Sequence, residues 1–298
     1  MTVLDVIQRS SDFLTRKGVE SPRLQIELLL SHVLQMPRMR LYLSFDRTLT
    51  ETELEAVRLL VKRRGEREPL QHLVGSTSFC GLEMTVTRDV LVPRPETELL
   101  AEQAVQFLLA SASVAAGGSA KPTRVLDFGT GSGCLAIVMA ARCPDVLVHA
   151  VERSEAALAV ARGNAQRHGV TPRIQFHCAD SLAAAWPAAE AAGAVAGEFA
   201  LVVSNPPYLA TKEIASLQPE VRDFDPRMAL DGGEDGLDFY RMLADGAGAW
   251  LKPGAPLMVE LAADQAGAAS GVLQERGWRV ERIEKDYGGH ERILIARR

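Results

Sequence analysis

Apolar residues in this chain keep three successive rhythms. Up to about residue 75 they recur every three or four positions, the spacing of amphipathic helices. Thr2, with Asp5 three places on, opens a first helix carrying Val3, Val6, Ile7, Phe13 and Leu14. Ser21-Pro22 reads as a cap with proline at the first helical position. It leads into Leu24, Ile26, Leu28, Leu29, Leu30, Val33 and Leu34, and Pro37 stops the run. Thr50-Glu51-Thr52-Glu53 is a capping box before Leu54, Val57, Leu60 and Val61, and Gly65 ends that helix. Lys62, Arg63, Arg64 and Arg67 fall near its last turn, where cations suit the helix dipole. They read as a solvated helix end ahead of a docking patch.

From about Ser78 the rhythm becomes two: Phe79, Leu82, Met84, Val86, then Val90-Leu91-Val92. This predicts a hairpin turning near Thr87-Arg88-Asp89. Pro93-Arg94-Pro95-Glu96-Thr97-Glu98 follows as a stiff corner, with Thr97 capping a helix from Leu99 to Leu109. Residues 110–121 read as a small-residue loop.

The third rhythm is strand and helix in alternation. Strands are predicted at Arg124–Phe128, Leu147–Glu152, Ile174–Cys178, Phe199–Val203 and Leu257–Leu261, with a late hairpin from Arg279–Ile283 to Arg292–Ala296 through Gly288-Gly289. Helices fall at Cys134–Ala141, Ala156–His168, Gly236–Trp250 and Gln265–Arg276, and Ala183–Gly197 is a variable helix or loop. Such alternation means an α/β fold with a doubly wound, mostly parallel sheet. The domain plan is therefore a helical domain at 1–75, a hairpin linker at 76–98 and the sheet domain at 99–298.

Composition narrows the class. The chain has 298 residues, 47% apolar and 24% charged, as expected of a soluble globular protein. A net charge of −5 argues against a protein that binds nucleic acid through a phosphate-neutralising surface. Met1-Thr2-Val3-Leu4-Asp5 lacks the start of a signal peptide, and no apolar stretch reaches membrane-spanning length. Cys80, Cys134, Cys143 and Cys178 are scattered, and the histidines form no ligand motif. The expectation is a reduced, cytoplasmic, metal-free protein with no membrane or direct nucleic-acid partner.

Two stretches carry candidate chemistry. Asp127-x-Gly129-x-Gly131-x-Gly133 follows the first strand of the alternation, with Thr130 and Ser132 between the glycines. Cys134 stands where a dinucleotide fingerprint needs glycine, and the Gly-Lys-Ser/Thr of a P-loop is absent. The form resembles the first motif of Rossmann-like S-adenosylmethionine-dependent methyltransferases. Glu152, closing the second strand, is placed for two ribose hydroxyls, and Asp180, followed by Ser181 after the third strand, for an adenine amino group. The second stretch is Asn205-Pro206-Pro207-Tyr208, at the carboxyl end of a buried strand, where open α/β sheets bind ligands. The Asn205 amide oxygen and a neighbouring backbone carbonyl can accept both hydrogens of a planar –NH2 group. The prolines stiffen the loop and remove N–H donors, and Tyr208 offers a flat face.

Together these motifs resemble the amino-group methyltransferases, which modify exocyclic amines of nucleic-acid bases and the amide of glutamine. Glu68-Pro69-Leu70-Gln71-His72, Phe79-x-Gly81-Leu82, Val92-Pro93-Arg94-Pro95-Glu96-Thr97-Glu98 and Asp231-Gly232-Gly233-x-Asp235-Gly236-Leu237 are similar to the peptide chain release factor glutamine methyltransferases over nearly the whole chain. His72 stands for a more usual Tyr, Asp225-Pro226 for Glu-Pro, and Leu261-Ala262 for Ile-Gly.

The resemblance implies methyl transfer from S-adenosylmethionine, leaving S-adenosylhomocysteine, to the N5 amide nitrogen of the glutamine in the Gly-Gly-Gln loop of class I release factors. It implies cofactor contacts from Gly129, Thr130, Gly131, Ser132, Gly133, Glu152, Asp180, Ser181 and Asn205. It assigns catalysis to Asn205, Pro206 and Tyr208, with Pro207 completing the substrate seat, and partner recognition to the helical domain of a monomer. The alternatives are the sister enzyme acting on a ribosomal protein and a nucleic-acid amine methyltransferase.

Overall fold

Helices form in the N-terminal region where caps and apolar spacing agree. The computed structural model describes residues 1–114 and 122–298. In it α1 spans Val3–Arg16, α2 Pro22–Val33, α3 Arg38–Tyr42, α4 Glu51–Gly65 and α5 Leu70–Val74. Both expected capping boxes are made, Thr2 with Asp5 and Thr50 with Glu53. Ser21 differs. It adopts a left-handed φ of 48° and its side chain caps nothing, so the fixed φ of Pro22 begins α2. Ile7, Leu14, Ile26, Leu29, Leu30 and Leu41 are buried together as the core of these helices.

The compact unit around that core is Met1–Ser76 together with Leu217–Phe224, a segment from far along the chain; the other unit is Thr77–Ser216 with Asp225–Arg298. Glu220 of the returning segment takes Arg64 Nη2 at 2.8 Å and Arg67 Nη2 at 2.6 Å. Arg63 grips Glu68 with two bonds of 2.7 Å. Arg64 also donates to Gln25 Oε1 and is only 3% exposed. The expected solvated helix end is therefore corrected: three of its four cations are consumed internally. Burial would raise the Glu220 carboxyl, but hydrogen bonds from Arg67 and Arg64 outweigh it and hold the group below its usual range.

The hairpin lies earlier than alternation suggested. Its strands are β1 (Ser76–Phe79) and β2 (Leu82–Thr85). The turn is Cys80-Gly81, both at positive φ (50° and 80°), which suits a two-residue hairpin loop. Val90-Leu91-Val92 forms no strand, and Val86 and Val90 pack on Ala157 instead. Helix α6 runs Pro95–Val114, longer at both ends than expected. Of the predicted loop 110–121, residues 110–114 continue α6 and the rest lies outside the described residues.

The alternation is realised almost element by element. The strands are β3 (Thr123–Phe128), β4 (Val146–Glu152), β5 (Ile174–Cys178), β6 (Phe199–Ser204), β7 (Pro256–Glu260), β8 (Arg279–Lys285) and β9 (Glu291–Arg297). Between them lie α7 (Cys134–Arg142), α8 (Glu155–Arg167), α9 (Leu182–Ala191), the short α10 (Pro219–Arg222), α11 (Asp238–Trp250) and α12 (Ala266–Glu275). The sheet order is β5-β4-β3-β6-β7-β9-β8, with β9 antiparallel to both neighbours and the others parallel. Val125, Val148, Leu201 and Val203 share one core with α6 and α7. Leu126, Val151, Val202 and Leu257 share the other with α9, α11 and α12. Winding out to β5 and returning to β6 opens a crevice between the carboxyl ends of β3 and β6. Among the described residues no helix is long and apolar enough to cross a membrane.

Two buried histidines sit on adjacent strands below that crevice. His149 Nδ1 and His177 Nε2 are 3.0 Å apart, and one donates to the other. Burial, then His177 and Arg124, push His149 down to about 4. The native state thus refuses a proton that the unfolded chain accepts near 6.5, so this contribution to stability is complete above that pH and is lost as pH falls toward about 4. Urea titrations should show wild type losing more stability between pH 7 and pH 5 than His149→Gln. Parallel losses would contradict the assignment. Separately, Glu220→Ala should cost about 2 kcal/mol at neutral pH, because it removes charge-assisted hydrogen bonds to the buried Arg64 and the half-buried Arg67 while Arg64 keeps its other partners. An unchanged urea midpoint would show that the pair contributes nothing.

Candidate active site

The turn after β3 is built to hold glycine and little else. Gly129 N and Thr130 N both donate to Val151 O, at 2.8 and 3.0 Å, folding the turn back on the end of β4. Beneath it Asp127 is fully buried, and its Oδ2 accepts from Thr130 Oγ1 at 2.6 Å and from Ala136 N at 3.2 Å. Burial pushes this carboxyl up to about 7, and its Oδ1 has no partner. Asp127 is thus the brace of the turn. Gly131 has φ 54°, and a Cβ there would meet no protein atom within 4 Å; the space beside the turn is left open.

That space belongs to a pocket at the carboxyl ends of the strands. Gly129, Thr130, Gly131, Ser132, Glu152, Asp180, Asn205 and Pro207 all line it, so the residues singled out on three strand ends converge. Glu152 is fixed in place: Oε2 accepts from Gly131 N at 3.1 Å and Oε1 from Ser154 N at 3.0 Å. Each oxygen keeps a further lone pair, which two vicinal hydroxyls can use.

The other singled-out residues lie off the wall. Gly133 is the N-cap of α7, packed close to Ala161. Ser181 caps α9 by accepting from Ala184 N. Pro206 is buried, and Tyr208 packs on the core beneath α11 and α12, its phenol pushed up by burial.

The tetrapeptide is clamped from behind. Ser204 Oγ donates to Phe128 O at 2.7 Å, tying the end of β6 to that of β3. Gln265 Nε2 donates to Tyr208 O at 2.6 Å. Leu209 N donates to Leu230 O and Gly232 N to Leu209 O, so 230–232 runs alongside. A Cβ at Gly236 would stand 2.4 Å from Tyr208 O, at a φ of 77°. The Asp231-to-Leu237 motif is thus a backing for the loop, and glycine is what lets it approach.

Further residues complete the wall. Val90, Leu91, Pro93 and Arg94 form one side, and Pro226, Met228, Ala229 and Phe239 another. Arg94 Nη2 pairs with the buried Asp225 Oδ2, joining the two sides. Thr97, expected as a helix cap, is buried inside the first turn of α6 and takes a hydrogen bond of 3.0 Å from Asn205 Nδ2. Glu260, the acid that closes β7, is 1% exposed and pushed up to about 7 by burial. Its signal was available, since an acid ending an apolar strand is what marked Glu152.

A mostly parallel sheet in this order, a glycine turn over an open cavity and an acid at the next strand end define an S-adenosylmethionine-dependent methyltransferase. The comparisons agree. Residues 5–75 match the family described as PrmC N-terminal domain, and residues 102–218 the Methyltransferase small domain. The chain is 41% identical over 296 residues to a release factor glutamine methyltransferase of Geobacter sulfurreducens, covering 99% of this chain and 96% of that one. It is 43% identical over 293 residues to one from Chlorobaculum tepidum, covering 98% and 96%. The catalytic domain of hMettl16, solved with an RNA hairpin, covers 73% of this chain and 75% of its own at a TM-score of 0.51; at 13% identity it shows the fold alone. The chain belongs to the release factor glutamine methyltransferase family.

The cavity fits the cofactor of that class: room beside Gly131, an acid with free lone pairs for a ribose, and the exposed Asp180 near the far end. Glu152→Ala should weaken S-adenosylmethionine binding by about 2 kcal/mol, roughly thirty-fold, as read by calorimetry. Unchanged affinity would remove Glu152 from the seat.

Proposed function

We propose that this chain methylates the N5 amide nitrogen of the glutamine in the Gly-Gly-Gln loop of class I peptide chain release factors. The observation that carries this reading is the state of Asn205. Its Nδ2 donates to Thr97 Oγ1 at 3.0 Å, which fixes the orientation of the amide and turns the acceptor Oδ1 away from Thr97. An acceptor at that point suits an –NH2 group.

S-adenosylmethionine supplies a methyl group made electrophilic by its sulfonium. The amide nitrogen of glutamine is a weak nucleophile because its lone pair is delocalised into the carbonyl. Asn205 Oδ1 and the Pro206 carbonyl accept its two hydrogens, fix the nitrogen in line and favour the positive charge that develops on it, and the methylated nitrogen then sheds one of those hydrogens as a proton to solvent. Pro207 adds no donor to compete. Glu152 and Asp180 hold the ribose and the adenine amino group, and the glycine turn admits the amino-acid end. The helical region at 1–75 meets the release factor, supplying binding energy remote from the glutamine.

The test offers labelled S-adenosylmethionine with unmethylated release factor, ribosomal proteins and deproteinised nucleic acid in parallel. Label on the release factor, lost when its Gly-Gly-Gln glutamine is replaced, is the expected result. Label on a ribosomal protein or on nucleic acid alone would overturn it. In the same assay Asn205→Ala should lower kcat by a factor of about 10²–10³, while cofactor affinity stays within about twofold. Retained turnover would take the amide grip away from Asn205.

A further inference from the structure

The two prolines of the tetrapeptide do more than remove donors. Each fixes its own φ and confines the residue before it to extended conformations, so ψ of Asn205 and ψ of Pro206 are restricted as well. Asn205 to Pro207 therefore behaves as a short stiff lever. Its near end is held, because Ser204 Oγ donates to Phe128 O and Asn205 Nδ2 donates to Thr97 Oγ1. A lever held at one end still swings as a unit within its torsional wells. The Pro206 carbonyl, proposed above as the second acceptor of the amide grip, swings with it. Only a hold on the far end stops that motion.

The far end is the peptide between Tyr208 and Leu209, and both of its polar groups are taken. Leu209 N donates to Leu230 O at 3.0 Å. Tyr208 O accepts from Gln265 Nε2 at 2.6 Å. With its N–H and its C=O held by different elements, this peptide plane cannot rotate without breaking one bond or the other. Of the two bonds, the one from Gln265 is made by a side chain. Gln265 stands at the N-cap of α12, yet its side chain caps nothing there. It reaches to the tetrapeptide instead, through space that Gly236 leaves open: a Cβ at Gly236 would stand 2.6 Å from Gln265 Nε2. A carbonyl can only accept, so the orientation of the Gln265 amide is fixed. That orientation leaves Gln265 Oε1 buried without a partner, which is a cost. Packing alone would favour an apolar side chain here. What glutamine adds is the donor.

We infer that Gln265 is a positioning residue for methyl transfer: by holding the Tyr208 carbonyl it fixes the far end of the two-proline lever, and with it the direction of the Pro206 carbonyl. The inference rests on the reading of Asn205 and Pro206 as the amide grip. Gln265 does not line the pocket, so it acts through the backbone of the tetrapeptide and not on a ligand.

Two variants of the full chain test this, with kcat, acceptor KM, S-adenosylmethionine affinity and melting temperature read for each. Gln265→Met keeps the length of the side chain and removes the donor. Its kcat should fall about 10- to 100-fold, the cost of misplacing a reacting group, with KM and cofactor affinity within about twofold. Its melting temperature should stay within about 4 °C of wild type, because removal of the unpaired oxygen offsets the lost bond. Gln265→Glu sets a carboxylate oxygen against the Tyr208 carbonyl at neutral and alkaline pH. Burial and that facing oxygen raise the introduced carboxyl, and once protonated it donates where Gln265 did. The ratio of its kcat to the wild-type value should therefore rise about threefold or more as pH falls from about 9 to about 6. A residue that only packs gives no such recovery.

Wild-type kcat in Gln265→Met would overturn the inference, as would an effect confined to KM or a Gln265→Glu ratio that does not change with pH. Should Gln265→Met melt far below wild type, the pH dependence of the Gln265→Glu ratio decides the matter alone. Asn205→Ala in the same assay keeps the two readings apart. An inactive Asn205→Ala beside a fully active Gln265→Met leaves the grip standing and removes Gln265. Retained turnover in Asn205→Ala removes both.

Discussion

The carboxyl ends of β3 and β6 lie side by side, and every function of the site depends on that adjacency. Sheet winding creates it: the chain builds outward from β3 through β4 to β5, then returns to lay β6 on the other side of β3. One buried hydrogen bond, Ser204 Oγ to Phe128 O, fixes the two ends at the point where both strands stop. Beyond it, a Cβ built at Gly129 would stand 4.0 Å from the carbonyl oxygen of Asn205. The glycine turn and the tetrapeptide are therefore one construction, and the room beside the turn lies next to the loop proposed to hold the acceptor.

That construction places two acids where the fold does not welcome them. Asp127 and Glu260 are both pushed up to about 7, in each case chiefly by burial. An acid raised in the native state contributes its stability below the ordinary carboxylate range and loses it as pH rises through about 7. The neutral pair His149–His177 acts in the opposite sense, and within the same interval. The stability cost at neutral pH is the physical sign that these acids serve something other than packing. Asp127 holds Thr130 and the Ala136 amide in the first turn of α7, and so shapes the turn. Glu260 closes β7 beside the point where Asn205 leaves β6. Both acids lie one residue behind the surface that meets ligand, which is why burial is tolerated there.

Much of this was legible in the chain because the determinants are local. Strands β4, β6 and β7 are short, mostly apolar runs with a polar residue at their carboxyl ends, and Glu152 and Asn205 announce themselves by ending or following such runs. The capping boxes at Thr2 and Thr50 lie within four residues of sequence. What escaped is non-local. Arg64 and Arg67 look like ordinary cations of a helix terminus, because their partner Glu220 lies over 150 residues away. Thr97 looks like a cap because Thr before a helix often is one; only the return of β6 brings Asn205 to it. The hairpin was misplaced for a different reason. Alternation of apolar residues continues through Val86 and Val90, whereas the turn is fixed by the positive φ of Cys80-Gly81, which periodicity does not encode.

The segment after the tetrapeptide has a consequence for how substrate specificity can reach the chemistry. Between Asn205 and the cavity wall at Pro226 the chain leaves the sheet unit at Leu217, joins the helical unit, and returns at Asp225. At the first end it is held by the bonds from Leu209 to 230–232, and at the last by the ion pair of Arg94 with Asp225. In the middle it is held by Glu220 between Arg64 and Arg67. The helical unit is thus not a separable N-terminal module, because part of it is read from the middle of the methyltransferase sequence. An enzyme whose acceptor is a weak nucleophile gains from holding it only when the correct partner is present. One peptide segment thus runs from the tetrapeptide through the helical unit to the cavity wall, so a partner held by the helical unit, as proposed above, is tied along the chain to the loop that carries Asn205.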